Sequence, residues 1–191
     1  MDAMSMLMRR LLGIGGLLLS LGALNQVTAQ TLTIGSANGN IGQTDVWFNV
    51  SFDPQGLSVA GILHTLHFDR YNAPITQCTL GTALDGVKLL SYVRLPEGCV
   101  TGGSSSAPAC DRVAILVKDR SDNDGVEIPR AITSSTVLYS CRVDVPSTAA
   151  ASAYPIIATT LSATDPAGNR KPIQSVEGAF TVNSPGPGPG C

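Results

Sequence analysis

Apolar and polar residues alternate along "DVWFNVSF", so that Val46, Phe48, Val50 and Phe52 share one side of an extended chain and Asp45, Trp47, Asn49 and Ser51 the other. The same two-residue period recurs in "VAGILHTLHFD", where Ile62, His64, Leu66 and Phe68 fall on one face and Leu63, Thr65 and His67 on the opposite one. "TLTIG" opens the series, and further strands are expected over residues 88–95, 113–118, 137–145, 156–162 and 178–182, with a ninth near 74–79. Turn residues separate them. Asn38-Gly39 is expected to take positive φ, Asp53-Pro54-Gln55-Gly56 breaks the chain between two strands, and "DPAGN" turns at 165–169. Beyond the first thirty residues the only helical feature expected is a brief turn at 147–153. Short half-buried strands bounded by turn signals predict an all-β antiparallel sandwich.

The first thirty residues follow a different pattern. Arg9 and Arg10 precede an apolar run from Leu11 to Leu24, and Val27-Thr28-Ala29 supplies the small residues of a signal-peptidase site. Residues 1–29 are therefore read as a cleaved secretion signal, by the general secretory route rather than the twin-arginine one. The run is too short for a helix that must cover roughly 20 residues to cross a bilayer, so no membrane span is expected after cleavage. Residues 30–183 form one domain, and the Pro-Gly alternation of "NSPGPGPGC" makes 184–191 a linker or tail ending in Cys191. Of the 12 basic and 14 acidic residues, Arg9, Arg10 and Asp2 fall within the signal, so the remainder carries 10 and 13, a formal net charge of −3. That balance excludes binding to nucleic acid through its phosphates.

An exported chain gives its cysteines a structural meaning. Cys78, Cys99, Cys110 and Cys141 allow three pairings, and spacing favours one. Cys99 and Cys110 would clip a loop of about a dozen residues, a closure of roughly 3 kcal/mol in the chain-entropy account. Cys78 with Cys141 then ties distant parts of the chain. Zinc is the rival reading, but no CxxC pair exists and the two histidines lie elsewhere.

The order of these motifs resembles a cohesin domain. "TLTIGSANGNIGQTDVWFNVSF" followed by "VAGILHTLHFD" is similar to a cohesin opening, with a Gly-rich turn after the first strand and an aromatic-Asp pair after the third. The middle resembles a secreted bacterial subgroup of cohesin-like domains, through "ITQCTL", the cysteine-clipped loop, "RVAILVKDRSDNDGVEIP", "STVLYSCRVDV", "AYPIIATTLSATDPAGNRKPI" and "VEGAFTV". The resemblance implies a nine-stranded jelly-roll β-sandwich, related to carbohydrate-binding modules, that acts by binding and without catalysis. It implies a protein partner of the dockerin kind or a polysaccharide, outside the cell or at its surface, with the third strand's outward positions Leu63, Thr65 and His67 as ligand-binding residues. Cellulosomal cohesins carry an Asp where this chain has Leu63, and often a Pro where it has Arg70. Both departures weigh against a dockerin of the cellulosomal type.

Other candidate sites are weighed against plainer readings. Asp119, Asp122 and Asp124, with Glu127 nearby, offer oxygen ligands for calcium. The register does not fit an EF-hand: with Gly125 at the sharp turn, Arg120 falls at the first ligand and Ala131 at the bidentate one. A solvated loop between strands explains the stretch better than a bound ion, and no other cofactor is expected. His64 and His67 point to opposite faces, so His64 belongs in the core with a hydrogen bond and His67 on the surface. Trp47, outward on its strand, and Tyr71 are candidates for a sugar-stacking platform, against packing of Trp47 under a loop. No triad, carboxylate pair or phosphate loop can be assembled, and Gly102-Gly103 with its serines reads as a loop tip. The competing functional reading is a structural spacer or adhesin segment of a surface-anchored protein.

Overall fold

The computed structural model describes residues 29–95, 110–119 and 130–184, and all regular structure among them is β except a single 3-10 turn at Thr82–Leu84. Twelve strands are present: β1 (Gln30–Ile34), β2 (Ala37–Asn40), β3 (Val46–Asp53), β4 (Gly61–Asp69), β5 (Ile75–Leu80), β6 (Lys88–Leu95), β7 (Cys110–Asp119), β8 (Thr136–Val143), β9 (Ser152–Thr164), β10 (Arg170–Lys171), β11 (Ile173–Val176) and β12 (Gly178–Asn183). The nine expected strands are all among them, and β2, β10 and β11 are short additions. One sheet runs β11-β1-β3-β8-β5. The other runs β2-β12-β9-β4-β7-β6, with β10 attached to β9. Pairing is antiparallel except where β1 meets β11 and β12 meets β2.

The alternation in the sequence decides which faces meet. Phe48, Val50 and Phe52 of β3 and Ile62, Leu66 and Phe68 of β4 are buried between the layers with Leu32, Ile34, Ile115, Val117, Leu138, Ile156 and Phe180. At the centre of this core His64 of β4 reaches across to Tyr139 of β8, Nε2 to Oη 2.5 Å, with the rings stacked at 5.7 Å between centroids. Both residues have no exposed surface. Within the five-stranded sheet Cys78 and Cys141 face each other across β5 and β8, Cα to Cα 4.1 Å, and are joined by a disulfide. The link spans 63 residues of chain, which corresponds to about 4 kcal/mol of loop-closure entropy removed from the unfolded state. Cys99 and the side chain of Cys110 lie outside the described residues.

Two local expectations are corrected. Asn38-Gly39 is not a turn but the middle of β2, paired with Thr181 and Val182, and the turn falls at Ile41-Gly42 with Gly42 at φ 79°. Gly39 sits in a tight place, since a Cβ there would meet the side chains of Val46, Phe180 and Val145 at 3.0 to 3.2 Å and they would have to give way by a few tenths of an ångström. No helical segment forms at 147–153, where a turn closed by Ala149 N–H donating to Pro146 O leads straight into β9 at Ser152. The turn signals at 53–56 and 165–169 do form turns. Gln55 and Gly56 take positive φ there, and the Asp165 carboxylate accepts from the Ala167 and Asn169 amides.

Burial lowers the His64 pKa from 6.5 to about 4. A base whose folded pKa is depressed is neutral in the fold while the unfolded chain binds a proton, so stability is full above about pH 6.5 and is lost as pH falls toward 4. The loss amounts to about 3 kcal/mol at most. His64→Leu with Tyr139→Phe removes both polar partners, and urea unfolding between pH 7.5 and 4.5 is expected to show the wild type losing about 2 kcal/mol more than this variant. Parallel pH profiles for the two proteins would contradict the assignment.

Candidate binding face

The residues of β4 that point away from the core lie in the middle of the larger sheet. Leu63 is flanked by Leu116 of β7 and Ser162 of β9, Thr65 by Ala114 and Thr159, and His67 by Arg112 and Ile157. Beyond β7, the edge strand β6 sets Leu89 beside Lys118, Ser91 beside Leu116 and Val93 beside Ala114. Paired residues share a face, so the row of Leu63 and Leu116 runs on to Ser91, and Leu89 and Val93 stand on either side of that serine, diagonal to Leu116, giving an apolar stripe interrupted by Ser91 across three strands. Leu63 is 41% exposed, Leu89 38% and Val93 59%, while Leu116 is half-buried between them. His67 closes one end, its Nε2 2.7 Å from Thr159 Oγ1. The sheet changes register between Leu63 and Thr65, where Thr160 takes φ 54° and the opposing strand bulges.

An ion pair beneath the stripe fixes its edge. Lys88, first residue of β6, points inward and is buried, donating from Nζ to Asp119 Oδ1 at 2.5 Å and to Ala60 O at 2.6 Å. Asp119 Oδ1 also accepts from the Arg130 amide. Asp119 is thus committed to the fold's interior, at 7% exposure, instead of standing open to a cation. Asp122, Asp124 and Glu127 lie outside the described residues, and no group of three or more His, Cys, Asp or Glu suited to a metal occurs among the described ones.

Trp47 lies on the other outward face, that of the five-stranded sheet, 38% exposed. Its indole N–H donates to Asp45 Oδ1 at 2.9 Å, and it pairs across the sheet with Arg142. Around it Arg142 reaches Asp144 at 3.2 Å, Thr76 donates to Asp144, and the Asp45 amide donates to the same carboxylate. Those bonds hold the Asp144 pKa below its ordinary value, the Asp45 amide foremost. Tyr71 sits elsewhere, in the turn after β4, with the Arg70 guanidinium 4.8 Å from its ring centroid. Trp47 and Tyr71 therefore occupy separate elements and make separate contacts. Leu63, Thr65 and His67 are brought together as expected from the sequence. Leu89, Val93 and Leu116 were not anticipated, because "KLLSYVRL" and "RVAILV" read as strands without a marked outward side.

The arrangement suits contact with an extended surface: a sheet face with exposed apolar groups at Leu63, Leu89 and Val93 and polar groups such as His67 and Ser91 among them. No family model and no curated protein matches the chain. Solved structures do. A cohesin–dockerin complex from Clostridium thermocellum, described as a novel type I complex, matches at 16% identity and TM-score 0.59 over 81% of this chain and 99% of that one. The seventh ScaB type I cohesin from Pseudobacteroides cellulosolvens matches at 15% and 0.59, over 85% and 97%. A non-cellulosomal cohesin from the archaeon Archaeoglobus fulgidus matches at 17% and 0.53, over 81% and 91%.

Removing Lys88 alone strands the buried Asp119 carboxylate. Lys88→Met is expected to lose about 3 to 5 kcal/mol in chemical denaturation, and the pair Lys88→Met with Asp119→Leu to recover most of it. A double variant as unstable as the single one would show that the pair is not what holds this edge. The described body of the chain, two packed sheets in this order and register, is a domain with the cohesin fold.

Proposed function

We propose that this chain is a secreted, non-catalytic binding module that attaches to a protein partner through the outward face of β9, β4, β7 and β6. The observation that carries the reading is the stripe of Leu63, Leu89, Leu116 and Val93, an apolar surface in which Leu63, Leu89 and Val93 are exposed. Its support comes from the fold, since several of the similar solved structures are complexes of a cohesin with a dockerin. A partner of the dockerin type, presenting an apolar helix or ridge, fits the stripe. Leu63 in place of an acidic residue points to recognition led by desolvation of apolar surface rather than by a buried carboxylate. Export by the N-terminal signal would place this contact outside the cell.

Trp47 supports a second reading, attachment to polysaccharide through the opposite face, because it is the large aromatic residue exposed on a sheet surface there. The two readings use different faces and separate by mutation. Immobilised domain is offered secreted proteins of a cellulolytic bacterium and purified calcium-loaded dockerin modules, with glycan arrays in parallel. Leu63→Glu with Val93→Glu is expected to weaken protein capture at least tenfold, about 1.4 kcal/mol, with an unchanged melting temperature, and Trp47→Ala to leave it intact. Capture indifferent to the β4 and β6 changes would remove this face from consideration. A domain that takes up neither protein nor glycan fits the spacer reading instead.

A further inference from the structure

The first residue of β1 presents an anomaly. Gln30 is completely buried, on the same side of its strand as Leu32 and Ile34, and neither Oε1 nor Nε2 of its side chain has a hydrogen-bond partner among the described residues. A buried primary amide with both ends unpaired is unfavourable, and an aliphatic residue of similar size would avoid the penalty. The backbone N–H of Gln30 is well placed, donating to Pro172 O at 3.1 Å beside the parallel pairing of β1 with β11.

The sequence supplies the second half of the argument. Cleavage after Val27-Thr28-Ala29 makes Gln30 the first residue of the exported chain. Its nitrogen would then be an α-amino group, placing an ammonium beside the unpaired amide at the spot where the Gln30 N–H meets Pro172 O. Glutamine at a chain start has an internal remedy. The lone pair of the neutral α-nitrogen attacks the side-chain carbonyl carbon, a C–N bond closes a five-membered lactam, and the side-chain nitrogen departs as ammonia after taking up the proton released by the α-nitrogen. No oxidant or co-reactant is needed. The product keeps a single N–H, which can still donate to Pro172 O, and has neither the ammonium nor the stranded NH2 group.

We infer that Gln30 is a modification site, converted to pyroglutamate once the signal is removed, and that the neutral lactam is the form this strand end accommodates. The inference rests on cleavage after Ala29 and is independent of the partner proposed above. Its test uses the full chain exported with its own signal from a bacterial host. Peptide mass mapping is expected to find a terminal peptide starting at residue 30 and lighter by about 17 Da, the mass of ammonia, with no reactive α-amine. A terminus at any other residue overturns the cleavage on which the inference depends. A free amine on Gln30 overturns the cyclisation itself.

A second measurement guards against ring closure during handling. Exported Gln30→Ala cannot cyclise and keeps its α-amine, so an amine-reactive label applied to the folded protein before digestion should be found on residue 30 of the variant and be absent from residue 30 of the wild type. A wild type labelled at residue 30 like the variant shows that the folded protein keeps a free amine, and the inference fails.

Discussion

Two sheets that pack only through aliphatic side chains have many nearly equivalent ways to slide and rotate over one another, because apolar burial has no direction. The hydrogen bond between His64 and Tyr139 removes that freedom. It joins the centre of β4 to the centre of β8, one in each layer, and it is satisfied only when both strands sit at their observed heights. Breaking it would strand a hydroxyl and an imidazole in the driest part of the molecule, whereas a slipped leucine finds other leucines. The disulfide between Cys78 and Cys141 acts within one sheet and chiefly on the unfolded chain; the buried pair acts between sheets and on the folded state.

With the layers fixed, the period of two leaves each sheet one outward face, and the two faces have different chemistry. Around Trp47 the five-stranded sheet carries Asp45, Thr76, Arg142 and Asp144 joined to each other, with Ser140 donating to Asn49 further along. Those polar groups already satisfy one another, so covering them would gain little and would require their bonds with water to be replaced. Leu63, Leu89 and Val93 on the larger sheet have no such network, and removing them from water is favourable in itself. The contrast between the faces, more than the presence of any one residue, is what makes the larger sheet the one whose covering is favourable.

Much of this was legible in the sequence wherever one face of a strand is buried and the other wet. β3 and β4 declare themselves by strict alternation, and the neighbourhood of Cys78 and Cys141 could be inferred from cysteine spacing once the chain was read as exported. β2 was hidden because Gly39 and its asparagine neighbours carry turn chemistry, while the strand leaves little room for a side chain at Gly39 beside Phe180. β9 is longer than its pattern suggests, since Pro155 interrupts it near one end and the bulge at Thr160 shifts the alternation by a residue. The wider candidate face was only half visible. Leu63, Thr65 and His67 lie on a strand with a marked wet side, but Leu89, Val93 and Leu116 belong to apolar runs whose outward members can be told apart only when the pairing of β6, β7 and β4 is known.

That pairing brings the argument back to Lys88. β6 is the last strand of its sheet, and an edge strand rich in apolar residues is free to slip along its neighbour or to pair with another chain. A slip of one residue would turn Leu89 and Val93 inward and carry Lys88 outward, which apolar packing alone would scarcely resist. The lysine resists it, because the slip would abandon the Asp119 carboxylate and the Ala60 carbonyl in the interior with no cation between them. A charge turned inward at the edge therefore does two things at once. It keeps β6 in the single register in which Val93 stands beside Ala114 and Ser91 beside Leu116, and so it determines which apolar groups the outer surface offers.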